Sequence, residues 1–588
     1  MKTAFADFQE LSVTKFLPSF ACVITLCIFI YWAIAANIDL SMGRFALYMD
    51  ERITFDGVKK ILHPDGLRSF FWAITNGGDQ RYGRSLWNSI AAFSFLPERL
   101  WGDSGQIIAG RMLQVFMLAA TCFIFLFGFL RNWYLRLVLM VAILAMPYSD
   151  YYMTMPKPEP LQLFFLAIFC YYFFRNKLEL GWYWIFAGLA FGTKISTLPA
   201  LVVFAAASFI AHLKYGSTVP LGKSIKIALS RFFYGLAIAV PILLTPVLLT
   251  VGGYHLFLRI KEKFRLNLIS QGVLVSLGVI VISLASRKPV KSWVNNTFLS
   301  TKHGADQASV NALSWINYFF EKWLIAPEAV GIVFIIGVLI YISAIASMEL
   351  SKPGINFHKK IAALTITLSG ITLNLAIFFG AQRLWGFYLY PGTVLMVAGM
   401  VILVDLYISD YSETSPQGFK RLQQVAGYSV ATILFCIASF FWAPWTISNL
   451  QDLSNRTKSS EYTQQYATYK EIVKFLNDHN SISNKKLKVM YTPSLFPPDN
   501  SNNYEIVEFW GPYVEWDKSP DVIVFGPINT PRGTPTSPES PSYKSFLAER
   551  EGYSKHVTDK GANCQANPCF ERELLLPNGG EILALKKG

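Results

Sequence analysis

Charged residues are scarce in this chain of 588 residues, where they make up 15% of the total, against roughly 25% in soluble globular proteins. The sequence has no Walker A motif and no glycine-rich nucleotide loop that leads into a soluble helix. It also has no basic tail and no zinc-ligand spacing. Nothing in the composition therefore points to a nucleotide, a nucleic acid, zinc or haem as a partner.

Apolar residues are abundant instead, at 53% of the chain, and the mean hydropathy is +0.36. A membrane-spanning helix needs about 20 mostly apolar residues, and such runs recur as far as about residue 444. The predicted spans lie near 16–36, 107–130, 134–149, 159–174, 181–212, 228–252, 266–285, 328–347, 361–380, 386–408 and 426–444. The run 181–212 contains Lys194 and Pro199 and is either one helix or two, so the prediction is about 11–13 spans.

The net charge of +14 lies in short clusters between apolar runs, the pattern of cytoplasmic loops. The clusters are Arg131 with Arg136, Arg175 with Lys177, Lys359 with Lys360, and Lys420 with Arg421. A cytoplasmic N-terminus and an odd number of spans place the C-terminus outside. The lysines at 214, 223 and 226 favour a cytoplasmic loop at a point where this number of spans places an outer loop. The first run also fits a signal peptide, but we interpret it as a retained span.

Three regions follow from the change in composition along the chain. Residues 1–444 are predicted to form an α-helical polytopic membrane domain, in which 38–106 is an outer loop with aromatic, amphipathic interfacial helices. Residues 445–588 are richer in polar residues and are predicted to form a soluble α/β domain. Its predicted elements are strands over Lys488–Tyr491 and Val522–Phe525, and a helix marked by the apolar spacing of Tyr466, Tyr469, Ile472, Val473 and Leu476. Cys564 and Cys569 are close enough in sequence for a disulfide, which needs an oxidising compartment. The odd number of spans and the expected disulfide both place this domain outside the cytoplasm.

Four short motifs carry the candidate chemistry. The acid pair Asp50-Glu51 follows the first span, and the stretch 78–84 precedes Arg111 at the start of the second span. The sequence Met155-Pro156-Lys157-Pro158-Glu159 stands at the start of a later span. Residues 187–194 read Ala-Gly-Leu-Ala-Phe-Gly-Thr-Lys. Acids held where a bilayer meets water suit a general base or a metal site that acts on a lipid-borne substrate.

The order of these motifs resembles the GT-C glycosyltransferases, in particular the bacterial branch near the protein O-mannosyltransferases and the lipid A aminoarabinose transferase. The resemblance covers about residues 10–210. It implies a GT-C fold and an inverting transfer of a sugar from a polyprenyl-phosphate donor to a hydroxyl of a lipid, polysaccharide or protein. The reaction would take place at the outer face of the bacterial inner membrane, with the C-terminal domain in the periplasm.

The resemblance and the charges together assign roles to individual residues. Asp50 matches the catalytic acid position and would act as general base, while Glu51 would orient the acceptor or share a divalent cation, Mg²⁺ or Mn²⁺, with it. The departing lipid phosphate calls for cations in a site with little water, and the candidates are Lys194, Arg383, Arg81 and Arg84. Candidates to bind sugar or acceptor are Lys157, Glu159, Asp150, His303 and Tyr388.

Each of these residues also has an ordinary structural explanation. A lysine in an apolar helix can extend to the interface, an arginine beside aromatic residues is common at any membrane surface, and Lys157 with Glu159 fits a simple ion pair at the start of a helix. Two other functions also remain open, a flippase for lipid-linked sugars and a polysaccharide polymerase. Oligosaccharyltransferases use a Trp-Trp-Asp motif, which this chain lacks, so transfer of a preassembled glycan to asparagine is disfavoured.

Overall fold

The structure is a computed structural model. It describes residues 13–39, 47, 49–75, 84–215, 220–264, 267–294, 318–319, 323, 325, 357–380, 386–410, 417–483, 486–491, 498, 501–508, 519–525, 554–576 and 580–586. The chain divides into two compact units. The first comprises Met1–Ile38 and Thr54–Gln451, and the second comprises Asp39–Ile53 and Asp452–Gly588.

The first unit is helical. Its helices are α1 (Val13–Ile38), α2 (Met49–Leu62, whose first turn belongs to the second unit), α3 (Leu67–Thr75), α4 (Arg84–Gly128), α5 (Trp133–Ala145), α6 (Ser149–Thr154), α7 (Pro158–Arg175), α8 (Trp184–Thr193), α9 (Leu198–Tyr215), α10 (Leu221–Ala239), α11 (Leu244–Phe264), α12 (Leu268–Val294), α13 (Phe357–Gly380), α14 (Tyr390–Asp410), α15 (Gln417–Ile437) and α16 (Ala443–Asn455, whose last turn belongs to the second unit).

Seven helical segments within the described residues are long and apolar enough to cross a membrane. Three shorter apolar helices accompany them, among them α5 and α8. The predicted span near 328–347 lies outside the described residues. The polytopic membrane architecture predicted from the apolar runs is confirmed.

The expectation of one span over 228–252 is wrong, because the structure has two helices there. Helix α10 ends at Ala239, a 3₁₀ turn covers Pro241–Leu243, and α11 begins at Leu244. Val240 has φ −125° and ψ 78°, which is not helical. The physical reason is Pro241, since a proline has no N–H to donate and disfavours a helical residue before it.

The outer loop predicted over 38–106 holds helical segments that begin before the second span. Helix α4 starts at Arg84 and turns sharply at Gly102, whose φ of 62° is favourable only for glycine. Large apolar side chains on α3 and on the first part of α4 are exposed, including Phe71, Trp72 and Trp101. Exposed aromatic residues on amphipathic helices are typical of segments that lie in the membrane interface.

Helices α8 and α10 cross at close range because glycines meet at the crossing. A Cβ added at Gly188 would collide with the carbonyl oxygen of Phe232, and one at Gly235 would collide with the carbonyl oxygen of Ile185. Small residues at such points let helix backbones approach each other in a membrane. This crossing fixes α8, which ends at the residue before Lys194.

The second unit contains a helix and a six-stranded sheet. The elements are α17 (Ser460–Ser483), β1 (Leu487–Tyr491), β2 (Tyr504–Glu508), β3 (Val522–Phe525), β4 (Val557–Thr558), β5 (Phe570–Leu575) and β6 (Glu581–Leu585). The strand order is β2-β1-β3-β6-β5-β4, in which β1 is parallel to β2 and β3, and β6 is antiparallel to β3 and β5. The predicted soluble α/β domain is confirmed.

The sheet has two buried clusters, and the one described here forms on the face that α17 covers, while Met490, Ile523 and Leu583 belong to the other. Ile472 and Leu476, four residues apart on the helix, pack with Val489, Val524 and Ile582. The sequence predicted this helix from its apolar spacing, and predicted strands over Lys488–Tyr491 and Val522–Phe525, which match β1 and β3. Cys564 and Cys569 form a disulfide in the segment before β5.

Candidate functional site

The chain reverses direction at Lys194. The ring of Phe169 in α7 packs against Trp184 at the start of α8, at 5.3 Å, and against Phe204 in the middle of α9, at 5.0 Å. The start of α8 and the middle of α9 therefore lie beside the same part of α7, and the two helices form a hairpin. Lys194, with φ −152° and ψ 122°, is the extended residue at its tip. The alternative of two helices in 181–212 is the one that the structure adopts.

Hydrogen bonds from buried side chains hold this tip. The Thr197 hydroxyl donates to the carbonyl oxygen of Lys194 at 2.7 Å and accepts from Nε2 of Gln162 at 2.7 Å. Ser85 donates from its hydroxyl to Thr193 Oγ1 at 2.9 Å. The sequence analysis singled out none of these residues. Gln162 could have been noticed as a polar residue one turn after Glu159 in an otherwise apolar helix.

The Lys194 ammonium pairs with the Glu159 carboxylate. Nζ of Lys194 donates to Oε1 of Glu159, and it lies 4.7 Å from the centre of the Tyr388 ring. The side chain of Glu159 is 2% exposed and that of Lys194 15% exposed. The sequence analysis paired Glu159 with Lys157 and did not foresee this contact, which exists because the reversal at the tip brings Lys194 to the carboxylate.

Lys157, the residue just before α7, lies beside aromatic rings. Its Nζ is 5.7 Å from the centre of the Phe387 ring and 5.9 Å from that of Tyr151, distances typical of cation–π contacts. Tyr151 and Phe387 stack at 4.9 Å, and the Tyr152 hydroxyl donates to the carbonyl oxygen of Phe387 at 2.7 Å. These contacts attach the turn 386–389 to helix α6, so that Tyr388 lies over Lys194.

Two arginines from the second sequence motif are buried in the same unit. Arg84 is 2% exposed and places its guanidinium 4.5 Å from the centre of the Trp87 ring, and its neighbour Ser85 is the residue that binds Thr193. Arg111 is also 2% exposed and donates to the carbonyl oxygen of Asn37 at 3.4 Å. Asn37 in turn donates to the carbonyl oxygen of Met153 at 2.8 Å, just before the segment that contains Lys157 and Glu159.

Several charged side chains are buried on the described segments of this unit. They are the cations Arg84, Arg111 and Lys157 and the carboxylates Asp150 and Glu159, and Lys194 is 15% exposed. Asp150 lies in the first turn of α6. Ionisable groups are costly in a medium of low dielectric constant and are rare in membrane-spanning segments outside functional sites. This cluster is therefore the candidate functional site.

The acid pair belongs to the second unit. Asp50 lies in the first turn of α2, where its side chain is outside the description, and Glu51 is fully buried. Within the same unit, the Thr457 hydroxyl donates to the carboxylate of Asp39. The segment that carries the acids is therefore bound to the start of the C-terminal domain.

Three of the predicted ligands, Arg81, Arg383 and His303, lie outside the described residues. In the described part of the chain, no group of three or more His, Cys, Asp or Glu side chains is suitable for a metal ion. The assignment of Mg²⁺ or Mn²⁺ to Asp50 and Glu51 stays a prediction, as do the roles given to each site residue.

No family model and no curated protein matches this chain. Among solved structures, the archaeal oligosaccharyltransferase AglB from Archaeoglobus fulgidus, in complex with an inhibitory peptide and a dolichol-phosphate, is similar, with a TM-score of 0.42 and 11% sequence identity. The likeness covers 81% of this chain and 62% of that chain. A likeness this distant establishes neither a shared family nor a shared activity.

Proposed function

We propose that this protein is an inverting membrane glycosyltransferase of the GT-C type, which moves a sugar from a polyprenyl-phosphate donor to a hydroxyl acceptor. The acceptor is a lipid, a polysaccharide or a protein of the bacterial envelope. In this proposal the reaction takes place at the outer face of the inner membrane, and the C-terminal domain lies in the periplasm.

The observation that carries the proposal is the meeting of separate sequence motifs around the hairpin tip. The segments at 84–85, 155–159, 187–194 and 386–388 are far apart in sequence, and contacts within one unit join them. Together they supply buried cations and aromatic rings. A lipid phosphate is an anion attached to an apolar chain, so it matches both features.

The chemistry follows from this charge distribution. The acceptor oxygen would attack the anomeric carbon while the bond from that carbon to the phosphate oxygen breaks, and the bonding electrons leave with the polyprenyl phosphate. Lys194, and Lys157 beside it, would stabilise the negative charge that develops on the leaving phosphate. The acceptor proton would pass to Asp50, and a well-placed general base contributes on the order of 10²–10⁴-fold to the rate.

The test uses the purified full chain with a labelled polyprenyl-phosphate sugar and an envelope extract as the source of acceptors. Asp50→Asn should lower transfer at least about 10²-fold while donor binding is retained. The matched control is Asp65→Asn, an exposed acid just after α2, which should transfer as the unmodified protein does. Transfer that survives in Asp50→Asn would exclude this residue as the base.

The same preparation separates the other candidate functions. Movement of a lipid-linked sugar from one leaflet of a proteoliposome membrane to the other, without formation of a glycosidic bond, would indicate a flippase. Reaction only with donors that carry a whole repeat unit would indicate a polymerase. Mass spectrometry of envelope glycans, with and without the protein, would identify both the sugar and the acceptor.

A further inference from the structure

The Thr197 hydroxyl links helix α7 to the backbone of Lys194. It accepts from Nε2 of Gln162 and donates to the carbonyl oxygen of Lys194, both at 2.7 Å, with the carbonyl oxygen of Ala190 at 3.2 Å. Both Gln162 and Thr197 are fully buried. Hydrogen bonds of this length in an apolar interior are strong, because no water competes for them.

The backbone of Lys194 is held on both sides of its Cα atom. Its N–H donates to the carbonyl oxygen of Ala190 at 3.0 Å, and its carbonyl oxygen accepts from the Thr197 hydroxyl at 2.7 Å and from the Thr197 N–H at 3.1 Å. These bonds fix the direction in which the side chain leaves the hairpin, and the one from the hydroxyl is the bond that Gln162 supports. The direction leads to Glu159, which lies three residues before Gln162 and therefore on the same face of α7.

Helix α7 thus contacts the tip at two points, with Glu159 at the ammonium and Gln162 at the turn. A merely structural role does not explain Gln162 well. Its Oε1 is buried and has no hydrogen-bond partner among the described residues, and an unsatisfied buried acceptor is destabilising. Leucine would fill the same space without that cost.

We infer that Gln162 is a positioning residue, which acts through Thr197 to hold Lys194 in the orientation that receives an anionic group. That the anion is the phosphate of a lipid donor rests on the proposed function. That Gln162 controls the orientation and accessibility of Lys194 does not, because it follows from the hydrogen bonds alone.

The first test measures the accessibility of Lys194 without any need for activity. The full chain, in nanodiscs, is treated with a small amine-reactive reagent, and the rate of modification at Lys194 is read by peptide mass spectrometry. Gln162→Leu and Thr197→Val should raise this rate several-fold. Thr197→Ser keeps the hydroxyl and should return the rate to near the original value.

Thr365→Val is the matched control, since Thr365 is a buried threonine in α13 whose hydroxyl donates to the carbonyl oxygen of Ile361. It should leave the labelling of Lys194 unchanged. Equal labelling in Gln162→Leu and the unmodified protein would overturn the inference, even if Lys194→Gln abolishes transfer. An equal rise in Thr365→Val would overturn it too, because the effect would then be one of general destabilisation.

The second test measures transfer. Gln162→Leu and Thr197→Val should lower kcat on the order of 10-fold or more, as expected when a catalytic group is displaced by about an ångström, with a smaller change in KM. Thr197→Ser should restore most of kcat. A change confined to KM would contradict a role for Lys194 in the reaction step. Increased labelling in a protein that shows no transfer at all would refute the proposed function and leave the positioning role intact.

Discussion

Removal of the Lys194 ammonium is the perturbation with the largest expected effect on stability. In Lys194→Met the carboxylate of Glu159 remains, 2% exposed, and its Oε1 loses the ion-pair partner. Its Oε2 already has no hydrogen-bond partner among the described residues. Breaking a buried pair in this way costs about 3–5 kcal/mol, because an uncompensated charge is left in the interior. Glu159→Gln should cost less, because the lysine is longer and 15% exposed.

The double variant Glu159→Gln with Lys194→Met separates the charge effect from the packing effect. Replacement of both members of a buried pair by neutral groups of similar volume is often close to neutral, so the double variant should be more stable than Lys194→Met alone. The free energy of unfolding of the full chain in mixed micelles measures this, and a coupling energy of about 1–3 kcal/mol is expected. Additive losses would refute the argument that the two side chains compensate each other.

Three further predictions concern packing, the sheet and topology. Gly188→Ala should destabilise the chain by about 1–3 kcal/mol, since the new Cβ meets a backbone carbonyl of α10; Gly222→Ala, where the Cβ meets nothing within 4 Å, is the control in a stability measurement. In the sheet domain, the carboxylate of Glu581 accepts at 2.5 Å from Arg572 and raises the pKa of that guanidinium. Arg572→Met should therefore cost about 1–2 kcal/mol at pH 7, because it leaves the buried carboxylate of Glu581 without this partner; Lys560→Met, at an exposed ion pair, should unfold as the unmodified protein does. A periplasmic reporter enzyme fused to the C-terminus should be active, and a reporter that works only in the cytosol should be inactive.

Hydropathy and periodicity predicted the architecture because both depend on local composition. Most apolar runs in the described part of the chain matched single helices, and the spacing of Ile472 and Leu476 predicted the helix that covers one face of the sheet. The break at Val240 was missed, although Pro241 was present as a signal. A window average over 228–252 does not register one proline. Hydropathy also does not show that a helix of the predicted outer loop starts at Arg84.

The candidate site was predicted in its parts but not in its connections. The charged residues were found because ionisable groups in apolar segments are rare. The partner of Glu159 was not found, because it depends on the reversal at Lys194, which brings residues 35 positions apart into contact. Gln162 and Thr197 carry no charge, and their importance is visible only once their hydrogen bonds to the tip are known.

The two helix breaks lie side by side, and this explains why polar residues collect there. A Cβ at Gly192, two residues before the break at Lys194, would lie 2.6 Å from Cβ of Ala239 and 3.2 Å from Cγ2 of Val240, at the break that ends α10. Non-helical backbone at membrane depth is tolerated only where protein buries it or where it lines a cavity with water. Two such breaks in contact therefore need either complete internal hydrogen bonding or a polar space beside them. At both breaks the backbone is bonded internally: the N–H of Lys194 donates to the carbonyl oxygen of Ala190 at 3.0 Å, and that of Val240 donates to the carbonyl oxygen of Leu236 at 2.8 Å. Internal hydrogen bonding is therefore what allows the two breaks to lie in contact.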